Sequence, residues 1–597
     1  MRRIFTLQVL IFPILVVFLS AASFFFHGSC GAWQWWLSIS FIVVLPFLVS
    51  DRTVAVKSDC AFFGLLVLIW LISPVWPDAC AHVDLQRYHM PMIRLLAEGW
   101  NPVCDPLCED IVGKLGIELD GMSYMHVQFI SKTAAIFCAC AYSFVRDPMA
   151  MVYPQLVFMI LGLALVTWRV FGRVSVAVII ALLLWKWATI PLFVDTTVLI
   201  ASAGLIFTMF SDMREKKFSL VELGAFTFWM VNTKLPGVFA AFIFWSVFIV
   251  AKILRERSDC KAVVLKSALS AVVITGISLS VSFNPYGTSF RDYGHPLYPF
   301  QTVDQKKFPK HNLTGDFKVM NEDYRMMGRA ARLLNAYTLP RLVRVYYNQR
   351  LGRQDFKPHQ WVWDYNDDEH GCASPVSFTS RCWIWLTFAV FLLAPSLRPF
   401  AAALFVVMCA FPEDYIGFVR YQPWIDGCTL LCLAFLLSAA CDRFKRLDHF
   451  VKWFAVMLIV FKFAEVPRWA ISNLRWVADA EQNLHDEVFV HYHKPPSRIK
   501  DRSVMEGAPL YNTNHPHKNN IVLLCRQLNK ADVKVIGKVD IGENECKEFP
   551  CGMLVRSNRP FPWTSKIDGA SRIDRIRNAA NLSWRAISGL YFPRLIR

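Results

Sequence analysis

The densest set of reactive groups in the chain lies in 77–102, PDACAHVDLQRYHMPMIRLLAEGWNP. Two acids, Asp78 and Asp84, directly follow an apolar run, and Arg87, Tyr88 and His89 come close behind. A carboxylate held just beyond hydrocarbon can take the proton of a sugar hydroxyl and make that oxygen a nucleophile. The plainer reading is that these acids solvate a loop or cap a helix. Asp84 and Tyr88 are four apart, so they share a helical face if the helix begins that early. The spacing of Tyr88, Met92, Leu95 and Leu96, with Arg87, Arg94 and Glu98 on other faces, predicts a short amphipathic helix lying along a membrane surface.

A second stretch, 284–300 (NPYGTSFRDYGHPLYPF), sets Tyr286, Arg291, Asp292 and His295 among glycines and prolines. An arginine with freed backbone amides suits a phosphate, and tyrosines suit a sugar ring. The bland alternative is a turn-rich loop with an aromatic belt. Lys234 (VNTKLPG) and Arg420 (YIGFVRYQPW) stand at the ends of apolar runs, where a cation can pair with a lipid phosphate or simply snorkel to headgroups. Asp195, in PLFVDTT, reads as a helix N-cap. The chain has no phosphate-binding glycine loop, no HExxH and no GxSxG.

The elements that must hold these residues are membrane spans. Of 597 residues 55% are hydrophobic and 18% charged, with 48 Phe and 21 Trp. That is too apolar for a soluble protein and unlike a disordered one. Apolar runs at roughly 4–26, 33–50, 60–77, 150–168, 174–194, 196–212, 218–234, 236–254, 262–282, 382–395, 399–412, 426–441 and 450–466 predict an α-helical polytopic membrane protein of about 11–13 spans. The net charge of +17 gathers in short loops, as the positive-inside rule requires, and no basic–aromatic module points to nucleic acid. Attraction to anionic lipid or to a phosphate-bearing substrate fits it better.

The basic segments Ser211–Lys217, Lys252–Lys261 and Cys441–Lys452, with Arg2 and Arg3, are assigned to the cytoplasm. Membrane region 1–466 then carries outer loops 78–149 and 283–381, and the tail 467–597 is extracytoplasmic. This count holds only if 126–145, interrupted by Lys132, is an interfacial or re-entrant helix on the outer face. In the tail, 520–525, 533–539 and 553–555 read as short strands of a small α/β domain. Cys104/Cys108, Cys372/Cys382 and Cys546/Cys551 are close enough in sequence to pair as disulfides outside the cell, with zinc as the rival reading.

In layout, residues 1–466 resemble the GT-C class of integral membrane glycosyltransferases. The carriers are Asp84…Tyr88-His89 followed by Leu96–Pro102, the helical stretch 126–145, and NPY…GHPLYP ahead of a large outer loop, which is similar to bacterial members. The resemblance implies transfer of a sugar from a polyprenyl-phosphate donor to an envelope acceptor (glycan, lipid or protein) outside a bacterial cytoplasmic membrane, by direct displacement with inversion. It places the general base on Asp84, with Asp78 as substitute. Arg291, Lys234 and Arg420 would lie near the phosphate, and Arg87, Tyr88, His89, Tyr286, Asp292 and His295 would bind substrate. Where many members have adjacent acids, this chain has Val83; use of a divalent metal stays open, since no ligand set stands out. The rivals are a lipid-linked glycan transporter or flippase and a polysaccharide polymerase or ligase. A transporter typically shows inverted repeats and broken helices, neither of which is evident here.

Overall fold

The computed structural model describes residues 1–72, 88–105, 107, 126–145, 153–188, 193–215, 218–255, 260–296, 377–410 and 423–462, with five short strands. The chain is a polytopic helical membrane protein. Among the described residues, seven helices are long and apolar enough to cross a membrane. They are α1 (Arg2–Phe25), α2 (Ala32–Val49), α6 (Tyr153–Phe171), α8 (Phe193–Glu215), α10 (Leu235–Arg255), α11 (Cys260–Val281) and α15 (Pro423–Arg443). Other helices among them are α3 (Arg52–Ile72), α4 (Met90–Ala97), α5 (Thr133–Val145), α7 (Val174–Ala188), α9 (Leu220–Thr233), α12 (Thr288–Tyr293), α13 (Ser377–Leu393), α14 (Arg398–Ala410) and a helix over 445–462.

The sequence leads one to expect 11–13 spans over the whole chain; seven stand among the described residues. An α-helix rises about 1.5 Å per residue, so crossing takes roughly 20 residues. Helix α9, with 14 residues, falls short of that length, while α7 and α14 run to the edge of the described residues at Ala188 and Ala410.

Helix α8 is the hub and packs on α6, α9 and α15. It is apolar on all sides, as a helix surrounded by others must be. Small residues allow the close approaches. A Cβ on Gly427 of α15 would stand 3.0 Å from the Ala203 backbone nitrogen of α8, and one on Gly204 would strike the Phe226 ring of α9.

Contacts sort the helix termini into two ends. At one, Arg2 lies over the Trp168 ring (4.7 Å to the centroid), Arg169 pairs with Glu222, and Lys252 Nζ donates to the Asp212 carbonyl (3.4 Å). The basic segments lie here. At the other, Asn101 Nδ2 donates to the Phe24 and Gly28 carbonyls (both 2.9 Å), Asn232 Nδ2 to Ser278 Oγ (2.8 Å), and Ser131 Oγ to the Asn232 carbonyl.

Helix α5 starts at this second end. Its 13 described residues give about 20 Å. It does not lie flat on the surface, so of the interfacial and re-entrant alternatives the packing fits the second: Phe137 packs in the bundle against Phe12, Trp35 and Phe158 (centroids 6.3, 5.2 and 6.1 Å). Ser20 and Cys140 meet at 3.2 Å, so α5 runs inward beside the late turns of α1.

Strands appear in two places. Arg341–Val343 pairs antiparallel with Gln360–Val362. In the tail, Gly552–Arg556 lies between Val488–His491 and Lys534–Val539, antiparallel to both. Two of the three predicted tail strands are therefore strands; 520–525 lies outside the described residues. Cys104 is a free thiol whose Sγ donates to the Phe24 carbonyl (3.3 Å), contrary to its expected disulfide. Cys108, Cys372, Cys546 and Cys551 lie outside the described residues, as does the side chain of Cys382.

Candidate functional site

At the end of the bundle opposite the basic segments, Tyr88 and His89 occupy a wide turn leading into α4, whose first turn accommodates Pro91. Gly99, at φ +105°, lets the chain reverse after the helix, a backbone conformation L side chains rarely adopt. Helix α4 was expected to show a wet face. Instead Arg94 is buried together with Met92, Ile93, Leu95 and Leu96, because α4 packs against α5 within the protein. Among its described charged residues only Glu98 stays exposed.

Asn101 holds the chain beyond α4. Besides its two amide donations to α1, its Oδ1 accepts from the Val103 and Cys104 amides (3.0 and 3.2 Å). All four hydrogen-bonding capacities of one buried side chain are thus used. The second sequence-marked loop locks onto this turn. Asn284 Nδ2 donates to the Pro102 carbonyl (2.6 Å) and Thr288 Oγ1 (3.0 Å). Arg291 Nη1 donates to the Val103 carbonyl (3.0 Å), and its other face grips Asp292 (2.6 and 3.0 Å). The ion pair raises the guanidinium's pKa further. Helix α12 ends at Gly294 (φ +75°), the left-handed residue that stops it.

A third segment joins them. The His126 ring stacks on Tyr88 (4.6 Å, 20° between planes), and His89 approaches the same phenol ring (4.3 Å). Phe129 meets Tyr293 edge-on at 5.7 Å. Lys132, 1% exposed, donates to the Gln128 and Ile130 carbonyls (2.9 and 3.1 Å) and faces the Trp100 ring (5.6 Å). Burial lowers its pKa to about 7.

The structure therefore brings Tyr88, His89, Tyr286, Arg291 and Asp292 to one end of the bundle. Burial pushes the Tyr286 hydroxyl up to about 12, so it stays protonated and can donate. His295 follows α12, half-buried. Lys234 is at this end too, but it pairs with Asp195. Lys234 thus has a carboxylate partner, and Asp195, expected as an N-cap, sits inside the first turn of α8. Asp78, Asp84, Arg87 and Arg420 lie outside the described residues.

Sequence reasoning missed His126 and gave no role to Asn101 and Asn284, although both stand in the stretches it quoted. Their long-range partners, at 24, 28 and 102, leave no local pattern. Lys132 registered only as a break in an apolar run. Among the described residues, no three His, Cys, Asp or Glu side chains gather as metal ligands. None of the protein-family models, curated proteins or solved structures compared with the chain matches it.

Proposed function

We propose that the chain is a membrane glycosyltransferase. It moves a sugar from a polyprenyl-phosphate donor to a glycan, lipid or protein acceptor on the outer face of a bacterial cytoplasmic membrane. The observation that supports this most is the direct bonding of the two loops richest in reactive groups: Asn284 and Arg291 bond the backbone at Pro102 and Val103. The GT-C resemblance rests on these same loops.

In this reading Asp84 takes the proton from the acceptor hydroxyl as that oxygen attacks the anomeric carbon, with Asp78 as the substitute base. The bond from that carbon to the phosphate oxygen breaks, and polyprenyl phosphate leaves with the electron pair, inverting the centre. A fixed cation stabilises the departing phosphate with little reorganisation. Arg291 suits this because Asp292 already orients its guanidinium, and Arg420 is the other cation assigned to the phosphate. Lys234 acts one step back, holding Asp195. Tyr88, His89, Tyr286, Asp292 and His295 line the sugar. The isoprenoid tail never has to leave lipid.

The test is transfer of radiolabelled sugar from a polyprenyl-phosphate donor by the purified chain, with and without a chelator. Asp84→Asn is expected to lose at least about 10²-fold in rate, the lower range for general-base assistance. Full activity in that variant removes the base. Uptake of donor across vesicles with no new glycosidic bond would support the transporter reading instead.

A further inference from the structure

The basic end carries a feature that the transfer reaction does not use. A cavity of about 930 Å³ opens there among the ends of α1, α6, α8, α9, α10 and α11. Its charged lining is Arg2, Arg3, Arg169, Lys252 and Lys266 against Glu215 and Glu222. Five cations facing two carboxylates leave a marked positive excess in a recess of headgroup size.

Among the described residues part of this charge is left without a hydrogen-bond partner. Arg169 pairs with Glu222 through Nη1, yet its Nε and Nη2 are buried and have no hydrogen-bond partner among the described residues. A guanidinium with two idle N–H groups is a bidentate fork for an oxyanion. Arg2 is steadied by the Trp168 ring, while Arg3 and Lys266 are exposed at the rim. Leu165, Val166, Phe218 and Val263 complete the wall with apolar surface. A recess of cations backed by hydrocarbon, between helices at the basic end of a membrane bundle, matches a phosphate group carried on an apolar chain. The 24 residues of α1 separate it from the Asn101 turn by roughly 35 Å, so it cannot be the proposed transfer site.

We infer that this cavity binds a phosphate-bearing group through Arg169, Arg3 and Lys266. Two sources share that chemistry, an anionic lipid headgroup and a free pyrophosphate-like anion. The inference stands whether or not the chain transfers sugars.

The experiment uses the delipidated full chain in detergent. Native mass spectrometry follows retention of dioleoylphosphatidylglycerol against dioleoylphosphatidylcholine, and titration with inorganic pyrophosphate follows displacement. Preferential retention of the anionic lipid is expected. Displacement by pyrophosphate would assign a free anion as an alternative occupant, and resistance to it would assign the lipid. The double variant Arg3→Ala/Lys266→Ala, at two exposed positions that should not disturb folding, is expected to weaken binding about tenfold or more. Glu222→Gln is expected to tighten it, because the carboxylate competing for Arg169 is gone; a merely damaged fold would not do so. Equal retention of both lipids with no pyrophosphate binding overturns the inference, as does unchanged binding in the double variant.

Discussion

The two ends of the bundle treat charge in opposite ways. At the loop end, three buried or mostly buried groups are matched: Asn101 makes four hydrogen bonds, Lys234 holds Asp195, and Lys132 is caged by carbonyls, while Asn284 Oδ1 has no partner among the described residues. At the basic end, cations outnumber acids around an open recess, and two nitrogens of Arg169 have no partner among the described residues. Matched groups fix a geometry, and an excess of one charge around an opening draws the opposite charge. The loop end is therefore built for positioning and the basic end for attraction. Substitutions at the two ends should differ in size and even in sign.

The largest effect is expected at Asn101. Asn101→Leu would strip partners from the Gly28 carbonyl and the Val103 and Cys104 amides, while the Phe24 carbonyl keeps Cys104 Sγ, at about 1 kcal/mol or more for each group left buried. A loss of about 3 kcal/mol in thermal unfolding of the detergent-solubilised protein is the expected result. Asn101→Asp keeps the acceptor and should recover part of it. A near-neutral Asn101→Leu would mean that the loop end is not held by this side chain.

Next comes the pair Lys234–Asp195, whose side chains are 21% and 15% exposed. Removing one partner strands a mostly buried charge, so Lys234→Ala should destabilise by about 1–3 kcal/mol. The double variant Lys234→Ala/Asp195→Ala should recover part of that loss. Additive losses in this cycle would show that the two charges do not act on each other.

Much of this was legible in the sequence. Apolar run lengths located α1, α2, α6, α8, α10, α11 and α15, and residue types picked out two loops that the fold joins. The rest was not, for physical reasons. An all-round apolar segment with one lysine reads alike whether it lies at an interface or in a core, so the sequence left α5 between an interfacial and a re-entrant placement. Asp195 and Lys234 are 39 residues apart, and no local pattern couples them. Helix α9 is embedded in a run long enough to suggest a full span, and only packing shows where it stops.

Lys132 sharpens the comparison through pH. Its folded-state pKa, about 7, lies below the ordinary lysine value of 10.5. Between these values the unfolded chain holds a proton that the folded chain has released. Stability should therefore rise with pH from about 7 towards 10, by at most about 1.4 kcal/mol per unit. Below pH 7 the full penalty of a buried charge applies. Lys132→Met should flatten the profile over that window, measured as the difference between wild-type and variant melting curves at pH 7 and 9. Parallel profiles would mean that the ammonium is solvated in the folded protein.

The smallest effect belongs to the basic end, and its sign is informative. Lys266 is exposed among like charges. Without a bound anion its removal takes away repulsion and no packing, so Lys266→Ala should change stability by less than about 0.5 kcal/mol, and towards stabilisation. Added salt screens the same repulsion and should shrink the difference further, since the Debye length falls to about 3 Å at 1 M. Adding an anionic lipid should reverse the order, leaving the wild type the more stable of the two, because a ligand that binds the folded state stabilises it by mass action. A loss of more than about 1 kcal/mol without lipid would place Lys266 in an internal network of the Lys234 kind, and the contrast between the two ends would fail.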